Sequence, residues 1–158
     1  VLRLSETVCN VNSIAAVSVA CHEAGHALQH AQNYVPLKIR NGIVPVVNLA
    51  SNLCWPLAII GIILLGVGAS MAAMALDSVN IAVIAMLAVI LFHAVTLPVE
   101  FNASRRALQQ MEELGIVDDM ELPGAKKVLR AAAMTYVAAL ATAIANLLRL
   151  LAIRGNRD

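Results

Sequence analysis

The stretch that most constrains this chain is "LCWPLAIIGIILLGVGASMAAMAL", Leu53 to Leu76, which carries no charged residue. About 20 consecutive apolar residues cross the hydrocarbon of a bilayer as a helix, because every backbone N–H and C=O there must be bonded within the segment. A transmembrane helix is therefore predicted. "IAVIAMLAVILFHAVTL", Ile81 to Leu97, is a second run of the same kind. It is short, and Pro98 with the polar stretch after it can complete the crossing. Asp77, Ser78, Val79 and Asn80 between the runs read as a tight turn, so that residues 53–97 form a transmembrane hairpin.

Composition agrees with this reading. Of 158 residues, 60% are hydrophobic and 13% charged, whereas a soluble domain is about 45–50% apolar and about 25% charged. The expected fold is an all-α membrane protein, a helical bundle forming one domain over residues 1–158. A net charge of +1 gives nucleic acid no footing. Cys9, Cys21 and Cys54 are an odd number without CxxC spacing and read as free thiols. The opening "VLRLS" reads as the interior of a longer protein whose N-terminal part is missing. Its apolar–polar alternation fits a short strand, Val1 to Leu4.

Other segments surround the hairpin. Residues 13–33 predict a helix capped by Asn12 or Ser13, too polar after His22 to span cheaply, and so packed inside protein near one membrane surface. Residues 34–52, with Pro36, Gly42, Pro45, Lys38 and Arg40, read as a connector with extended pieces. A helix over about 99–114 follows the hairpin, then a break from Gly115 to Leu122, then a C-terminal membrane helix over about 124–152. The apolar part of that helix is rich in Ala, which suits close packing against other membrane helices.

Charge orients the hairpin. Lys38, Arg40, Arg105, Arg106, Lys126, Lys127 and Arg130 flank it, and the 77–80 turn has no Lys or Arg. By the positive-inside rule, the first helix and residues 99–130 face the cytoplasm of a bacterial plasma membrane. Arg149, Arg154 and Arg157 run against the rule if the last helix spans fully.

The chemistry is concentrated in "ACHEAGHALQHAQ", residues 20–32. His22, Glu23 and His26 spell HExxH. Two histidines four residues apart share a helix face and can bind one Zn²⁺, while Glu23 can take a proton from a water that zinc has acidified. Gly25 lets another segment approach closely. His30 is eight residues from His22, about 12 Å along the axis at about 1.5 Å per residue. One ion with bonds of about 2 Å does not join His22 to His30, so His30 reads as a polar residue near the helix end or a substrate contact. Gln29, one turn from His26, reads as either solvated or bonded to a ligand or substrate.

A catalytic zinc needs a third protein ligand and an open position. Asp77 lies in the turn at the far end of the hairpin and His93 inside the second span. Asp118, Asp119 and Glu121 are loop carboxylates and stay as alternatives. Glu100 fits best, because a two-helix excursion returns the chain to the side it left, and Ser104 or Asn102 can hydrogen-bond the carboxylate. Tyr136 and His93 are candidate donors to an oxyanion.

The segments "HEAGHALQHAQNYVPLKIRNGIVPVVNLAS", "LPVEFNASRRAL" and "GAKKVLRAAAMTYVAAL" together resemble the YugP-type neutral zinc metallopeptidases, bacterial membrane proteins. The resemblance covers most of the chain. It implies a zinc peptidase with His22 and His26 as ligands, the glutamate of the VEFNAS segment, Glu100, as the third, and Glu23 as base. It also implies a further N-terminal membrane helix. The layout is similar to that of HtpX and related membrane zinc peptidases, where a helical hairpin separates HExxH from the third ligand.

The expected function is a membrane zinc endopeptidase acting on unfolded or membrane-associated polypeptides, with the lipid bilayer as its other partner. Rival readings are a site-2-type intramembrane protease, which takes an aspartate ligand from within a span, a non-catalytic metal-binding or transport protein, and a scaffold with an inactive site. No aspartate lies within either span here, and a transporter has no need of a base beside its ligands.

Overall fold

The computed structural model describes residues 2–67 and 72–155, with the side chains of residues 65–67, 72, 73, 75 and 76 also outside the description. Five helices appear among the described residues: α1 (Glu6–Asn10), α2 (Ile14–Ala31), α3 (Val35–Val67), α4 (Ala72–Glu113) and α5 (Leu122–Gly155). Three are long and apolar enough to cross a membrane, over Val35–Leu64, Asp77–Glu113 and Leu122–Gly155. The protein is an all-α membrane protein. Leu49, Leu53, Ile59, Ile63, Ile84 and Leu91 are exposed on these helices, as expected of side chains that meet lipid rather than water.

Four expectations need correction. No strand is found among the described residues: Leu2–Ser5 is irregular, and Val1 lies outside the description. A lone strand has no partner for its backbone groups. Residues 35–50 are helical rather than extended, with Pro45 and Pro56 inside α3. Pro36 sits in the first turn of α3, where its missing N–H costs nothing. Interior prolines weaken helices in water, but membrane helices tolerate them because neighbouring groups take over the freed carbonyls. Residues 77–80 belong to α4 and make no turn, and the segment joining α3 to α4, residues 68–71, is outside the description. The second span and the Glu100 helix are also one helix, α4, which passes through Pro98 without a break.

Two compact units are present, each built from segments of the long helices. One comprises the chain up to Ile39 with Val95–Val137, and the other Arg40–Ala94 with the chain from Ala138 onward. In the first, Cys21, Ala107, Met111, Ala125 and Leu129 form the core, with Ile14 and Val17 packed against it. In the second, Cys54, Ala58, Val79, Ala82, Met86 and Leu150 form the core. All three cysteines are free thiols, and burial raises the Cys21 thiol pKa above its usual range.

Candidate metal centre

The first unit holds the chemistry, and local sequence signals set its helix ends. Ser13 caps α2 by accepting from the Ala16 N–H at 3.2 Å. At the other end Asn33 takes φ 55°, the Asn33 N–H donates to the His30 carbonyl and the Tyr34 N–H to that of Gln29. This is a Schellman termination, with Asn in the left-handed position. α4 ends in the same way at Gly115, with φ 59° and bonds from the Gly115 N–H to Glu112 and from the Ile116 N–H to Met111. Asp118 starts α5 by accepting from the Met120 and Glu121 N–H groups at 2.9 and 2.8 Å. Glu121 accepts in return from the Asp118 N–H at 3.4 Å, a capping box.

α2 and α4 meet at Gly25. A Cβ on Gly25 would lie 2.5 Å from the Ala103 carbonyl oxygen, so no side chain fits there without moving backbone. The expected close approach is present, and α4 is the segment that makes it. Gly25→Ala is therefore expected to force the two helices apart, with a loss of about 1–3 kcal/mol typical of overpacking, visible as a lowered thermal unfolding temperature. Unchanged stability would mean that the contact yields freely.

The close approach brings Glu100 on α4 against the two histidines of α2. Glu100 Oε2 lies 3.1 Å from His22 Nε2 and 3.5 Å from His26 Nε2. The three residues offer ligand atoms that all lie within 4.8 Å of one another. Glu100 is buried and the histidines are half-buried. Tetrahedral ligands at bonds of about 2.0–2.2 Å sit about 3.3–3.5 Å apart, so two of the spacings already suit a zinc-sized ion. Two imidazoles and a carboxylate are also ligands zinc accepts. Electrostatics point the same way: the hydrogen bond to Glu100 raises the His26 pKa above the ordinary histidine range despite partial burial. A carboxylate facing two imidazole nitrogens favours a positive charge among them, whether proton or metal.

The surrounding polar residues differ from expectation. Ser104 Oγ is hydrogen-bonded to His22 Nδ1 at 3.3 Å. Asn102 Oδ1 accepts from Gln29 Nε2 at 2.9 Å and from Arg106 Nε at 2.7 Å. Gln29 is fully buried, which removes the solvated reading. It lies 3.0 Å from His26 Nδ1 through Oε1 and donates to the Val99 carbonyl at 2.8 Å through Nε2. Arg106 was read from the sequence only as an orienting charge, not as a neighbour of the centre. Its position one helical turn after Asn102 was the available signal.

Glu23 and His26 line a cleft of about 540 Å³ with Leu2, Arg3, Ala27 and His30. His30 is exposed there and outside the ligand group. Asp118 and Glu121 are exposed and occupied in the α5 cap, and Asp119 is exposed beside them. Asp77 and His93 belong to the second unit. There His93 lines a cavity of about 320 Å³ with Cys54, Trp55, Met86, Thr142 and Asn146. Tyr136 is half-buried on α5.

A family model described as "Putative neutral zinc metallopeptidase" matches residues 1–155. The chain belongs to this family. Among curated proteins, "Putative membrane protease YugP" of Bacillus subtilis (strain 168) is 46% identical over 153 residues. The alignment covers 97% of this chain and 64% of that relative's length, so the chain spans somewhat under two thirds of the relative it matches. No solved structure matches. The name of that relative, a membrane protease, and the three apolar helices of this chain both fit an integral membrane protein.

Proposed function

We propose that this chain is a zinc-dependent membrane endopeptidase that hydrolyses peptide bonds of unfolded or membrane-associated polypeptides. The observation that carries the reading is the convergence of His22, His26 and Glu100 beside an open cleft that Glu23 lines. His22, His26 and Glu100 would hold Zn²⁺. When bound, the ion supplies Lewis acidity, lowering the pKa of a water to about 7 and polarising the scissile carbonyl.

The rest is done by the protein. Glu23 accepts a proton from the attacking water as its oxygen bonds to the carbonyl carbon. As the C–N bond breaks, Glu23 returns that proton to the departing amine, so protons balance over the turnover. Gly25 keeps α2 and α4 close enough for the two helices to supply ligands together. The cleft along α2 gives a polypeptide access to Glu23 without passing through the buried face of Glu100.

The test is metal removal and return. Purified full-length protein in detergent should cleave an unfolded polypeptide, lose that activity to a chelator and regain it with Zn²⁺. It should hold about one Zn²⁺ per chain. His22→Ala and His26→Ala should lose the metal, whereas His30→Ala should keep it. Equal loss in all three would return His30 to the ligand set. Cleavage indifferent to chelation would remove zinc from the mechanism.

The cytoplasmic placement of the centre follows from the Lys/Arg distribution and belongs to the same proposal. A cysteine introduced as Met74→Cys, exposed in the first turn of α4 ahead of the apolar span, should react with an impermeant reagent added outside the cell, and Gln109→Cys only after permeabilisation. The opposite pattern would put the centre on the outer face.

A further inference from the structure

We propose that Arg106, Asn102 and Gln29 form a polar relay that fixes the tautomer and ring orientation of His26, an inference that rests on the metal-centre reading above. Its direction follows from two groups that have no choice. An arginine guanidinium can only donate, and a backbone carbonyl can only accept. Arg106 Nε lies 2.7 Å from Asn102, so the Asn102 group facing it is the oxygen. The same oxygen is 2.9 Å from Gln29, and the Val99 carbonyl is 2.8 Å from the same Gln29 atom. That atom faces two acceptors and must be the amide nitrogen, with both of its protons in use.

Gln29 then has its oxygen turned to His26 Nδ1 at 3.0 Å. An oxygen acceptor requires Nδ1 to carry the proton. The ring's lone pair is left on Nε2, the atom 3.5 Å from Glu100 Oε2. His26 is thus presented with its metal-binding nitrogen already selected. Ligating histidines depend on such a partner for their other nitrogen.

Arg106 is itself tethered. Its Nη1 donates to Gln32 Oε1 at 2.6 Å, and its guanidinium carbon is 5.9 Å from the centroid of the Tyr34 ring. Gln32 and Tyr34 follow the end of α2, whereas Asn102 and Arg106 lie on α4. The relay therefore joins the two helices that supply the ligands.

The relay makes opposite predictions for two amide-to-acid changes. Asn102→Asp keeps an oxygen that accepts from both Arg106 and Gln29. Gln29→Glu loses both protons and sets a carboxylate against the Val99 carbonyl and the Asn102 oxygen. A residue that only fills space would not separate these two changes.

The experiment measures Zn²⁺ affinity of the full chain in detergent by chelator competition. It also measures the ¹⁵N shifts of the His26 ring in metal-free protein at alkaline pH. Gln29→Glu, Gln29→Leu and Asn102→Leu should each weaken Zn²⁺ binding by about 10–100-fold, the usual size of an outer-sphere loss. Asn102→Asp should restore affinity relative to Asn102→Leu. The ring should be protonated at Nδ1 in the wild type and in Asn102→Asp, and become a tautomer mixture in Gln29→Leu. The proposal is overturned if Gln29→Glu and Gln29→Leu bind as the wild type does. It is equally overturned if Asn102→Asp is as damaging as Asn102→Leu, or if the wild-type ring is protonated at Nε2. Should Gln29→Leu fail to fold, the Asn102 pair and the wild-type spectrum still decide. If wild type binds no better than a His22→Ala/His26→Ala double variant, the metal-centre reading fails, and the ring spectrum judges the relay alone.

Discussion

Glu23→Gln should keep its zinc and lose its peptidase activity. The amide is nearly isosteric with the carboxylate, and His22, His26 and Glu100, whose ligand atoms converge within 4.8 Å, are untouched by the change. What disappears is the ability to accept a proton from water and to return it to the departing amine. General acid–base catalysis contributes about 10²–10⁴-fold, so kcat should fall by that factor. KM should change little, because the cleft that Glu23 lines keeps its shape. Metal content by elemental analysis, measured beside initial rates on an unfolded polypeptide, separates the two properties. Wild-type rates in Glu23→Gln would refute its role as base. Loss of metal together with activity would instead place Glu23 among the ligands.

Glu100→Ala should abolish tight zinc binding. It leaves two imidazoles, so the effect should exceed the about 10–100-fold loss typical of an outer-sphere change. Glu100 is buried, and its Oε2 is within 3.5 Å of both histidines. Among the described residues no other carboxylate joins the two histidines in a ligand group, and Asp118 and Glu121 are engaged ahead of α5. Chelator competition reads the affinity directly. Retention of full affinity would assign the third ligand to another residue and leave Glu100 as a hydrogen-bond partner of the histidines. The comparison with Glu23→Gln is informative as a pair. Removal of a ligand costs metal and activity together, whereas removal of the base costs activity alone.

Much of this was legible in the residues because it depends on local periodicity or on the solvent. The charge-free run Leu53–Leu76 pointed to helix because a backbone in lipid has to satisfy itself, but its bounds were wrong for one span: α3 holds the part up to Val67, α4 the part from Ala72, and residues 68–71 lie outside the description. The four-residue spacing of His22 and His26 places both imidazoles on one face of any helix that contains them. Ser13 and Gly115 signalled helix ends, and both act there. The absence of a side chain at position 25 also pointed to a close approach of another segment.

Tertiary structure decided the remainder. Turn residues suggested an extended connector at 34–52 and a reversal at 77–80, yet residues 35–52 and 77–80 are helical. Asn and Asp favour turns by bonding nearby backbone, Gly by its freedom and Pro by its missing N–H, and each preference is smaller than the cost of unpaired backbone groups where α3 and α4 are surrounded by lipid or protein. Ser104 or Asn102 was expected to hydrogen-bond Glu100; the structure also joins Ser104 to His22, and Asn102 to Gln29 and Arg106. Spacing along α4 gives the face on which a side chain leaves the helix, not the group it meets across the gap. That group is set by where α2 crosses. The crossing is governed by the contact of Gly25 with the Ala103 backbone, which sets Ser104 beside His22 and Asn102 beside Gln29.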